Sequence, residues 1–149
     1  MQVKYGATPS RAFGNDAPAL VTLDAAFGEN AAVQWLMPQL YAVGEFAGVR
    51  DKMNEMQTLE LARTIRAHYG FLTVTEMLLF FSNLKAGRYG KFYGSVDPMV
   101  ITEALCGPFM AERERHIERI ESAQREQERE QRREGVMTFE QFMRLKQQQ

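Results

Sequence analysis

Scarcity says more than abundance in this chain: of its 149 residues one is cysteine and two are histidine, and no apolar run approaches a membrane span. The lone Cys106 excludes an intramolecular disulfide framework, argues against a zinc site built on cysteines, and fits a reducing compartment. The longest dense apolar stretch, Met77 to Phe81, is far short of the roughly 18 residues of a spanning helix. The opening residues MQVKYGATPSRAFGNDAP lack the apolar core of a secretion signal. These absences lead to the expectation of a soluble, cytoplasmic protein with no membrane role.

Charge of one sign is missing as well. The formal net charge is −1, and neither end of the chain forms a basic arm, so any anion binding must come from a local patch. Catalytic signatures are absent too: there is no H-E-x-x-H, C-x-x-C, P-loop or G-x-S-x-G. His68 and His116 fall among polar residues and read as surface side chains. Cys106 lies in the apolar run MVITEALC and reads as a small buried hydrophobe, so nothing recommends it as a nucleophile beside His68. The expectation is a protein that is not an enzyme and takes no metal or cofactor.

What is present is helix. With 45% hydrophobic residues the chain can build one core, and its apolar spacing predicts an all-α fold: a small bundle of about five helices over residues 18–109. A flexible lead-in, residues 1–17, precedes it. A first helix runs from Pro18 to a stop at Gly28. A second starts near Asn30 and carries Val33, Leu36, Met37 and Leu40, with Tyr41 and Phe46 extending the face. Pro38 is expected to bend it, and Gly44 and Gly48 to mark its exit.

A third helix spans about Asn54–Tyr69, with Gly70 as its cap. Thr73 and Glu76 then make a capping box, with Leu72 and Met77 as a staple, and open a nearly all-apolar central helix. Asp97 and Pro98 open a fifth helix as N-cap and N1 residue, and Gly107 and Pro108 interrupt it.

Residues 110–134 form a charged, solvated helix in which eight Glu and seven Arg allow i,i+4 pairs such as Glu121 with Arg125 and Glu128 with Arg132. Gly135 is expected to end it. A C-terminal amphipathic motif, residues 135–149, then begins with a second capping box, Thr138 with Gln141, and a second staple, Met137 with Phe142. Its face of Phe139, Phe142 and Met143 is too small to fold alone. Two readings stay open: a tethered motif that lays this face on a protein partner, or a segment that folds back on its own domain.

The stretch SNLKAGRYGKFYGSVDP, from Ser82 to Pro98, carries the densest candidate for recognition. Lys85, Arg88 and Lys91 suit phosphates of DNA or RNA, and Tyr89, Phe92 and Tyr93 offer stacking platforms. Gly87, Gly90 and Gly94 would let backbone approach a ligand. The structural reading is also complete: the glycines turn the chain and the rings plug the end of the core.

Together with EFAGVRDKMNEMQTLELARTI and ERERHIERI, the pattern K-x-G-x-Y-G-x-F-Y-G-x-V-D-P over Lys85–Pro98 resembles a family of short, uncharacterised proteins of phages and mobile elements of anaerobic gut bacteria, over about Pro18–Ile120. The resemblance implies no established activity and identifies no catalytic residue. In layout the chain is similar to phage helicase loaders and replisome accessory proteins. The expected function is a non-enzymatic accessory protein that contacts nucleic acid through the 85–93 loop and a protein through the C-terminal motif. The alternative is an interaction adaptor or inhibitor whose loop only shapes the chain.

Overall fold

The computed structural model describes residues 9–148, apart from the side chains of residues 136–138. The described chain is all-α, with no strand among these residues. Its elements are α1 (Pro9–Ala12), α2 (Leu20–Phe27), α3 (Ala31–Ala47), α4 (Glu55–Tyr69), α5 (Val74–Lys85), α6 (Pro98–Ala104), a π-helical turn (Leu105–Phe109) and α7 (Met110–Gln147). They divide into two compact units, residues 1–113 and 114–149.

In the first unit α5 is the central helix. Met77, Leu79, Phe80 and Phe81 are fully buried, and the polar Thr75, Glu76 and Asn83 are buried beside them. Phe80 meets Phe81 at 5.5 Å and the edge of Phe109 at 5.3 Å between ring centres. Burying one such side chain stabilises the fold by about 1.5–3 kcal/mol, and offset or edge contacts between rings add to this. Helix α3 packs on α4 and α5, which brings the C-terminal half of α3 beside the end of α5.

Side-chain caps mark where three of the helices, α4, α5 and α6, start. Thr73 accepts from the Glu76 amide at 3.2 Å, and Leu72 and Met77, the expected staple pair, are both buried. The Glu76 carboxylate interacts in turn with the Thr73 backbone, and it also accepts from Arg113 Nε at 2.7 Å, so one side chain serves both the cap and a long-range ion pair. A complete box opens α4, where Asn54 and Gln57 satisfy each other's amides. Asp97 caps α6 by accepting from the Met99 amide at 2.8 Å.

Several expectations are corrected. Residues 9–17 are not a loose lead-in: Ala12 and Phe13 are buried, the Phe13 ring lies 6.0 Å from Phe109, and Thr75 donates to the Ala12 carbonyl at 2.9 Å. Residues 1–8 of that segment lie outside the described residues. Pro18 precedes its helix, and its carbonyl accepts from the Val74 amide. Gly44 does not mark the exit of α3, which runs on through it to the expected stop at Gly48, left-handed there; Pro38 lies inside the same helix, as expected. A proline costs a helix interior about 3 kcal/mol, and burial of Ala32, Val33, Leu36, Leu40 and Val43 along α3 outweighs that.

Gly70 does cap α4 as expected, but in a right-handed conformation, with φ −59°. A Cβ there would come within 2.7 Å of Val21 and 2.8 Å of the Arg66 carbonyl. The glycine is required for close approach of α2, whose Val21 amide donates to the Gly70 carbonyl at 3.0 Å.

Gly107 and Pro108 do not stop the chain. Pro108 cannot donate a backbone bond, and the wider π turn absorbs the lost register while Leu105 and Phe109 stay buried. Gly135 likewise does not end the charged helix, because α7 is continuous to Gln147. The long helix and the C-terminal segment are thus one element. The second cap and staple expected at Thr138 and Met137 rest on side chains outside the described residues.

Candidate functional site

The connection between α5 and α6 is held at both ends. At its start the Gly87 and Arg88 amides donate to the Leu84 and Asn83 carbonyls. At its far end Asp51 receives and returns a backbone bond: its amide donates to Gly94 and its carbonyl accepts from Val96. Gly87, Gly90 and Gly94 all have positive φ, the conformation the turns need. The Gly87, Arg88 and Gly90 amides are engaged inside the turn, so they form no backbone cradle for an anion. Any grip on phosphate must come from side chains.

The six candidate side chains do not act alike. Tyr89 belongs to the core end. Its ring stacks on Phe80 at 5.7 Å, and its hydroxyl accepts from the buried Asn83 amide at 3.0 Å. Burial pushes the Tyr89 phenol up from its ordinary range. Its expected place as a stacking platform is therefore corrected: that face already has a partner. Phe92 is half-buried, while Tyr93 is 86% exposed.

Lys85, Lys91 and Phe92 line one groove of about 200 Å³, with Val43, Phe46 and Ala47 from the end of α3 and Leu84, Gly87 and Gly90. Among the described residues no carboxylate lines it. Arg88 is exposed on the same loop but outside the groove lining. Helices α3 and α5 both end here, and their terminal carbonyls favour cations, which gives Lys85 a structural use as well. Desolvation lowers the Lys85 ammonium from its usual range.

The residue that sequence reasoning missed is Phe46. It extends the apolar face of the helix in sequence, yet it is 66% exposed and lines the groove. A signal was available, because Phe46 falls off the stripe of Leu36, Leu40 and Val43.

The C-terminal candidates Phe139, Phe142 and Met143 lie on α7 and are exposed, with Leu145 beside them in sequence exposed as well. Cys106 is exposed rather than buried, because the π turn rotates it outward between Leu105 and Phe109. It neighbours Tyr69, whose phenol is pushed up by burial and by the thiol. Among the described residues no cluster of His, Cys, Asp and Glu is suited to hold a metal ion. No helix among them is long and apolar enough to cross a membrane.

A family model, of a family of unknown function, DUF6633, matches residues 52–149. The chain belongs to that family. The expectation of an uncharacterised family therefore holds, but its limits move. The DUF6633 match begins at Lys52 rather than near Pro18 and runs on through the C-terminal segment. It takes in the 85–93 loop and the exposed face of α7, and leaves out the α3 wall of the groove. No curated protein and no solved structure matches the chain.

Proposed function

We propose that this chain is a non-enzymatic accessory protein of a phage or mobile element, acting in the cytoplasm, that holds a nucleic-acid strand at the groove between α3 and the 85–93 loop. The observation that carries the reading is the shared groove: Lys85 and Lys91 line it together with Phe92, and among the described residues no carboxylate does. Arg88 adds a third cation to the same loop, and Tyr93 an exposed ring. Cations near exposed rings are what a strand needs, one class for phosphates and the other for base faces. Tyr89 takes no part in this proposal.

The C-terminal face of Phe139, Phe142 and Met143 supports a second contact, with a protein partner, by the helix-in-groove mode. That face also favours the adaptor reading, in which the groove has no ligand.

Fluorescence anisotropy with labelled DNA across a salt series separates the two. Three phosphate contacts give a log–log salt slope of about −2.7 on duplex or about −2.1 on single strands. The expected result is binding with such a slope, abolished in Lys85→Ala/Arg88→Ala/Lys91→Ala. Absence of binding at low salt would remove the nucleic-acid reading and leave the adaptor.

A further inference from the structure

We infer that the groove is a seat for an unpaired base, with Phe46 as a binding residue, so that the ligand is a single strand rather than a duplex. The inference rests on the proposed function and sharpens it. The lining divides by chemistry: Val43, Phe46, Ala47, Leu84 and Phe92 are apolar, and among the described residues the charges are those of Lys85 and Lys91. A phosphate alone has no use for an apolar floor. A base carries a flat apolar face and is covalently joined to phosphate, so one ligand satisfies both halves of the lining.

Size points the same way. About 200 Å³ accepts one flat ring system, not the row of anchors at i, i+3, i+4 and i+7 that a helical peptide lays down. A duplex keeps its base faces stacked inside and offers only edges and backbone, so it cannot fill the apolar half. The loop is also suited to a side entry. A Cβ added at Gly87 or Gly90 would meet nothing within 4 Å, so both glycines leave open space next to the groove they line.

The test uses the full chain and three probes: a labelled single-stranded oligonucleotide, its duplex, and the same strand carrying abasic positions throughout. Phe46 is exposed, so Phe46→Ala is expected to fold with an unchanged thermal midpoint, and Phe46→Tyr keeps the ring. Base-to-ring stacking predicts that the abasic strand, the duplex and Phe46→Ala each weaken binding by about five-fold to over a hundred-fold, while Phe46→Tyr restores it.

If all three probes bind alike and Phe46→Ala changes nothing, while Lys85→Ala/Lys91→Ala abolishes binding, the groove reads phosphate only. The inference then falls and the proposed function stands. If no oligonucleotide binds but a short Glu-Phe-Glu peptide does so in a Phe46-dependent way, both fall and the groove takes an acidic peptide.

Discussion

The two units of this chain reach helix by opposite means. Residues 9–113 bury phenylalanines against one another around α5, and among their few buried polar groups Thr75, Glu76 and Asn83 each have named partners. Residues 114–147 form helix whose described side chains are exposed almost throughout, so backbone bonding, residue propensity and mixed-sign charge must sustain it. The first unit is therefore sensitive to lost volume and the second to local backbone preference. That contrast predicts which mutations each region tolerates.

The largest effect is expected from Phe80→Ala. Phe80 is fully buried and touches Phe81, Tyr89 and Phe109, so truncation opens a cavity where three rings meet. The expected cost is about 3–5 kcal/mol, read as a lower urea midpoint. A loss under about 1 kcal/mol would mean that the first unit is not held by this cluster, and the contrast would fail there.

How much of this was legible in the sequence follows from the range of the forces involved. Local signals were readable: the caps at Thr73 and Asp97, the stop at Gly28 and the nearly all-apolar α5 each depend on residues close together in the chain. What failed was long-range. Gly70 is needed because Val21 lies against it, and the Glu76 carboxylate also pairs with Arg113, 37 residues on, which no local pattern announces. Pro108 and Gly135 read as interruptions, yet helix continues through both.

At the candidate site the 85–93 loop was visible as a composition. Its partition was not, because only the fold shows that Tyr89 stacks on Phe80 while Phe46 is left exposed. Nor was the Asp51 connection to Gly94 and Val96, which joins segments far apart in the chain.

A smaller but more diagnostic effect is expected at the Glu76–Arg113 pair. Glu76 is 4% exposed, and burial raises its carboxyl above the ordinary range while Arg113 and the Thr73 backbone amide pull it back. Arg113 also lies 5.2 Å from the Phe71 ring centre. Arg113→Ala leaves a buried carboxylate without its counter-charge, at a cost of about 3 kcal/mol near neutral pH. A carboxyl whose folded pKa is raised contributes its full stability below the unfolded value and loses it as pH rises through the folded one. Removing Arg113 raises that pKa further, so the gap between variant and wild type should narrow as pH falls. Urea midpoints at neutral and at mildly acidic pH measure it, and a gap that widens with acid would show that the pair is not held by charge.

The smallest effect tests the second unit. Gly135 lies within α7, and a Cβ there would meet nothing within 4 Å. Glycine costs a helix interior about 1 kcal/mol relative to alanine, through backbone entropy alone. Gly135→Ala should therefore strengthen the far-ultraviolet helical signal and slow amide exchange on either side of residue 135. The thermal midpoint of the first unit should stay where it is, because no packed side chain changes. If that midpoint rises together with the helical signal, the two regions unfold as one cooperative body. Burial in the first unit would then also be supporting the charged helix, and the contrast between them would be one of surface composition rather than of stabilising force.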